Sequence, residues 1–121
     1  MRFVPLVGVM ALIFGLSHIP GQSMPESALF GHDKFWHALA FATLAASALW
    51  AWLPRLKRAP RPTLSAILFF CLLYGISDEL HQSFIPGRSP SLADIGADFL
   101  GAALIIGLCG VHYSKKRAVR S

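Results

Sequence analysis

The sequence predicts an all-α integral membrane protein: a bundle of four transmembrane helices with both termini cytoplasmic. Three observations predict it. Hydrophobic residues make up 55% of the 121 residues and charged residues only 14%, against about 25% charged in ordinary globular proteins. A chain this short could not hide so much apolar surface in one aqueous core. The apolar residues fall into four runs with the charges gathered between them. The charges are also sorted by sign along the chain. Arg2, Arg55, Lys57, Arg58, Arg61, Lys115, Lys116, Arg117 and Arg120 occupy the N-terminus, the middle loop and the tail, whereas Glu26, Asp33, Asp78, Glu79, Asp94 and Asp98 all lie elsewhere. Basic loops stay on the cytoplasmic side, so the other two loops and the acids are predicted to face outward.

A single domain covers residues 1–121, with helices at about 3–19, 35–53, 64–82 and 92–113 and a basic tail at 114–121. The first run, Phe3 to Ile19, carries Pro5 in its first turn, where proline is tolerated, and stops at Pro20-Gly21. A signal peptide is the alternative, but Gly21-Gln22-Ser23-Met24-Pro25 makes a poor cleavage site. Residues 20–31 read as a loop. Asp33 suits the N-terminal turn of the second helix, and His37, four residues on, shares its face. Trp50 and Trp52 mark the other end, where interfacial aromatics gather.

Residues 54–62 read as a short basic loop with three prolines. The third run is uncharged from Pro62 to Ser77, a length of about 24 Å at about 1.5 Å per residue. It falls short of a bilayer core of about 30 Å, so the helix is predicted to continue through Asp78-Glu79-Leu80-His81-Gln82 and draw part of this polar stretch inward. Ile85 to Ser91 forms a proline-bounded turn. Ser91 can cap the fourth helix, with Asp94 in its first turn, Asp98 on the same face, and Gly101, Gly107 and Gly110 giving small surfaces for close packing in lipid. Cys71 and Cys109 sit inside apolar runs as buried hydrophobes, with no disulfide framework or CxxC pair. The net charge of +5 is explained by the cytoplasmic loops. It does not mark a nucleic-acid partner, which needs a basic face or a recognisable module.

The region from Asp78 to Asp98 holds four of the six acids between two apolar runs. A charge at a helix centre in a membrane costs about 2.5–3.5 kcal/mol on insertion scales and less near the ends, so these groups are expected to pair and to work. Their pattern resembles that of the VanZ-like family. The resemblance rests on Asp33-Lys34-x-x-His37 opening the second helix, Asp78-Glu79-x-x-Gln82-x-Phe84-x-Pro86-x-Arg88 after the third, and Asp94-x-x-x-Asp98-x-x-Gly101 opening the fourth. It covers about residues 3 to 113. It implies a small bacterial membrane protein built as a four-helix bundle, and an association with low-level resistance to teicoplanin, a glycopeptide that binds outward-facing cell-wall precursors. Many members carry Asn where this chain has Asp98, which makes the cluster here more negative.

The residues themselves allow several chemistries. As a binding site for a lipid-linked cell-envelope molecule, Arg88 would clamp a phosphate. Gln82, Asp33, Lys34, Asp94 and Asp98 would contact sugar, ammonium or peptide groups. As a hydrolase or transferase, Glu79 and His81 would move protons, with His37 and Asp78 supporting them; water would be the attacker, because no Ser or Cys is placed as a nucleophile. No cofactor is predicted, but a divalent cation would draw on His37, His81, Asp78 and Glu79. The bland alternative is a non-enzymatic membrane component whose polar groups satisfy one another and hold the helices together. A transporter would need a repeat pair with broken midplane helices, and none is visible. The expected partners are membrane lipids and a lipid-linked cell-wall precursor or a glycopeptide. The expected location is the bacterial inner membrane, with the polar cluster on its outer face.

Overall fold

The computed structural model describes residues 1–23 and 33–120. Glu26, His32 and most of the loop expected at 20–31 lie outside the described residues. Helices α1 (Val4–Ser17), α2 (Asp33–Ala51), α3 (Leu53–Arg58), α4 (Pro60–Gln82) and α5 (Leu92–Arg120) follow in order, with one 3₁₀ turn at Gly21–Ser23 after α1. Among the described residues there is no strand.

Three helix ends differ from the expected ones, each for a local reason. The basic segment expected as a loop is helical on both sides of Ala59: Pro54 and Pro60 occupy first-turn positions of α3 and α4, where a missing N–H costs nothing. Helix α5 runs through the expected tail to Arg120. Lys115-Lys116-Arg117-Ala118 is made of good helix formers, and cations near a helix C-terminus oppose its negative dipole end. Helix α1 ends at Ser17, with the His18 amide closing it onto Phe14 and Gly15 carbonyls.

Helix α2 is the central element. It packs most extensively on α5, which also packs on α4, while α1 lies against α2 and α4. The buried stripe of α2, Phe41, Leu44, Ala45 and Ala48, follows the three-and-four spacing of one helix face. It meets Ile67 and Cys71 of α4, Ala102 and Ile106 of α5, and Leu6 and Ile13 of α1. Small residues allow the closest approach. A methyl group built on Gly101 would lie 2.0 Å from the Ala38 carbonyl oxygen, so α2 and α5 touch there backbone to backbone.

Two helices, α4 and α5, are long and apolar enough to cross a membrane. Their 23 and 29 residues span about 35 and 43 Å at about 1.5 Å per residue. Only 33% of the most apolar window of each is buried inside the protein. Phe69 and Leu73 of α4 and Leu100, Leu104 and Leu108 of α5 point outward, each at least half exposed. A continuous apolar exterior of this kind is costly against water and neutral against lipid.

Candidate functional site

The polar residues gather at one end of the bundle, where α4 ends and α2 and α5 begin. At this end the first turns of two helices and the last turn of a third converge. Side chains that are far apart in sequence therefore meet without a long loop to carry them.

His37 stands at the centre. Its Nδ1 lies 2.8 Å from Asp98 Oδ1 on α5; with the carboxylate ionised, this nitrogen is the donor. The same nitrogen is 4.0 Å from Glu79 Oε1 on α4. Its other ring nitrogen, Nε2, lies 3.5 Å from Asp33 Oδ1, one turn back on α2. Glu79 and Asp98 are almost sealed from solvent, at 5% and 1% exposed. Glu79 Oε2 accepts the Ser91 amide at 3.2 Å, a bond made where the chain enters α5. In each of these two carboxylates the remaining oxygen, Glu79 Oε1 and Asp98 Oδ2, is buried without a hydrogen-bond partner.

Asp94 is buried too, and its counter-ion is Lys34, which reaches across from α2 to Asp94 and also lies 3.3 Å from Asp33. The bond to Asp94 holds the Lys34 ammonium above its ordinary pKa, opposed by modest desolvation. Lys34 precedes the apolar run of α2. The Asp94 amide donates to Ser91 Oγ at 3.2 Å, so Ser91 caps α5 as expected. A second group forms beside the first. Gln82 Nε2 donates to Asp78 Oδ2 at 3.0 Å and lies 3.3 Å from Ser17 Oγ on α1. Arg88 donates to the Leu16 carbonyl at 3.3 Å.

The residues singled out in the sequence thus separate into three sets. His37, Glu79 and Asp98 form the centre, with Asp33, Lys34 and Asp94 joined to it. Asp78 and Gln82 tie α4 to α1, and Arg88 lies beside them. His81 belongs to neither group: its Nε2 lies 3.1 Å from His18 Nδ1, and its ring stacks on Phe14 with centroids 4.5 Å apart. Asp78, His81 and Gln82, whose spacing of three and four residues allows one shared helix face, are therefore split. Sequence reading missed Ser17, the backbone of Ser91 and His18 as partners. Ser17 and His18 end the first apolar run, and that position was the available signal.

A cavity of about 430 Å³ opens between α1 and α2. Val9, Leu12, Ile13 and Leu16 of α1 and Trp36, Leu39, Ala40 and Phe41 of α2 form its apolar wall, while Asp33, His37, Asp78 and Arg88 bring polar groups to it. Four of the ten predicted site residues therefore share one cavity. Such an arrangement can seat an amphipathic molecule, its apolar part along α1 and α2 and its polar part against these four side chains.

Comparison with curated proteins and with solved structures finds no match. The VanZ/LLP1 family model matches residues 2–113, nearly the whole chain and all the residues that build this site. With that coverage, and with two membrane-length helices carrying the site's Glu79, Asp94 and Asp98, the chain belongs to the VanZ/LLP1 family.

Proposed function

We propose that this protein is a four-span VanZ-type protein of the bacterial inner membrane that binds a lipid-linked molecule of the cell envelope at its outer face. The observation that carries the reading is the cavity between α1 and α2, which has an apolar wall and acquires Asp33, His37, Asp78 and Arg88 from three different segments. An acyl or polyprenyl chain fits the wall, and a phosphate-bearing head group fits Arg88 by charge-assisted hydrogen bonds. Charge sorting supports the orientation. The basic ends and the 55–61 segment mark the cytoplasmic side, which leaves the His37 cluster outward. A link to glycopeptide resistance of the teicoplanin type follows from the family, since such drugs and their targets meet at this outer leaflet.

Native mass spectrometry of the detergent-solubilised protein tests the reading. The expected result is a co-purifying lipid-linked phosphate on the wild type that is lost from Arg88→Ala and from Ala40→Trp, which fills the wall. A wild type that carries no lipid beyond that of both variants, and that takes up none from added polyprenyl phosphate, would overturn it.

A further inference from the structure

We propose that His37, Glu79 and Asp98 form a binding site for a divalent transition-metal ion of the Zn²⁺ or Mn²⁺ class. The inference goes beyond lipid binding and does not depend on it. One donor atom from each of these residues lies within 4.8 Å of the others. Tetrahedral bonds of about 2.0–2.2 Å place ligand atoms about 3.3–3.6 Å apart, and His37 Nδ1, 2.8 Å from Asp98 Oδ1 and 4.0 Å from Glu79 Oε1, reaches that spacing by side-chain shifts of roughly half an ångström. The three residues come from α2, α4 and α5, and the helices hold them in place whatever the loops do.

The second observation is the pair of orphaned oxygens. Glu79 and Asp98 are more than nine-tenths buried, and each has one oxygen held and one without a partner. The held oxygens are bound by the Ser91 amide and by His37. A buried carboxylate oxygen left bare carries a desolvation penalty that a protein rarely tolerates without a use. A cation that takes the place of the His37 Nδ1 proton, with Nε2 left facing Asp33, would lie against both carboxylates. Asp33, 3.5 Å from the far nitrogen of His37, stands where a carboxylate orients a metal-bound imidazole. Asp33, His37 and Asp94 form a rival set by distance. There, however, the Lys34 ammonium already contacts both carboxylates, so the charge is met.

The ligand types narrow the ion. Mg²⁺ and Ca²⁺ favour oxygen-only shells, whereas one imidazole with two carboxylates suits Zn²⁺ or Mn²⁺. The ligand set also differs from the one expected from sequence. His81 is taken up by His18 and Phe14, Asp78 by Gln82, and Asp98 enters in their place.

The test uses the full chain in detergent, stripped with a chelator and titrated separately with Zn²⁺, Mn²⁺ and Mg²⁺. Bound metal is measured by plasma mass spectrometry after dialysis. The expected result is about one Zn²⁺ or Mn²⁺ per chain and little Mg²⁺. Affinity should fall by about 10-fold in Asp33→Asn, within the range for a partner that orients a ligand, and by more than that range, over about 100-fold, in Glu79→Gln and Asp98→Asn, which change the ligands themselves. It should be unchanged in His112→Ala. The Mn²⁺-loaded wild type should show coupling to one imidazole nitrogen in pulsed electron paramagnetic resonance, a readout that stands even where a variant fails to fold. Any of three results would overturn the site: no retained ion, an ion held undiminished by both Glu79→Gln and Asp98→Asn, or Mn²⁺ without nitrogen coupling. Loss that follows His81→Ala and spares Glu79→Gln would do the same, by moving the ion to the His18 pair.

Discussion

Gly101→Ala should be among the most disruptive one-carbon changes in this protein. The added methyl would stand 2.0 Å from the Ala38 oxygen, 2.7 Å from its carbonyl carbon and 2.8 Å from its Cα. All three atoms are backbone, so no rotamer can relieve the contact. Helix α2 must retreat by about 1.5 Å to reach an ordinary non-bonded separation of about 3.5 Å. His37 is the neighbour of Ala38, and its bond to Asp98 spans the same crossing at 2.8 Å. A retreat of that size takes the pair beyond hydrogen-bond reach. Overpacking costs about 1–3 kcal/mol, and losing a hydrogen bond to a charged group adds about 1.5–3 kcal/mol. The sum is of the order of 3–5 kcal/mol, a large share of a typical domain's stability. Gly107→Ala is the control. It lies on the same helix with nothing within 4 Å of the new methyl, and replacing a mid-helix glycine gains up to about 1 kcal/mol. Thermal unfolding in detergent, followed by fluorescence and by size-exclusion, compares the two. Equal melting temperatures for Gly101→Ala and Gly107→Ala would refute the backbone contact between α2 and α5.

Other expectations follow from single contacts. Tyr74→Phe removes a bond of 2.6 Å from its hydroxyl to the Met10 carbonyl. It should cost about 0.5–1.5 kcal/mol and loosen α1, seen as faster amide exchange in residues 8–14 than in α5. Lys34→Met strips the counter-ion from Asp94, whose side chain is only 5% exposed; a buried acceptor left without its partner should cost about 1–3 kcal/mol, measured by the same thermal scan. Orientation can be read by thiol labelling. With Cys71 and Cys109 replaced by Ala, Ser89→Cys should react with an impermeant maleimide on intact cells and Arg58→Cys only after lysis, and the opposite pattern would reverse the topology.

Local geometry made part of the site legible in the sequence. Asp33 and His37 were expected on one face because four residues bring a helix round by about one turn, and they stand 3.5 Å apart. Asp78 and Gln82 obey the same spacing and hydrogen-bond. His81, at three residues, does not join them. A helix offers two flanking directions at that spacing, and the stacked Phe14 of α1 and His18 just after it take the ring. The basic segment was misread because proline marks a helix start as readily as a stop, and only the flanking backbone distinguishes the two.

The sequence by itself determined that this chain is helical, that Asp33, Asp78, Glu79, Asp94 and Asp98 collect at one end, and which neighbours on one helix can touch. Those properties follow from composition and from a period of about 3.6 residues, both of which are local. Tertiary structure decided which helices would share the acids: His37 with Asp98 and Glu79, Lys34 with Asp94, Ser91 with Glu79. It also decided that two buried oxygens would be left over. These choices depend on how far each helix is rotated about its axis and how closely α2 and α5 cross. The Gly101–Ala38 contact sets that crossing, and no pattern within a single helix encodes it.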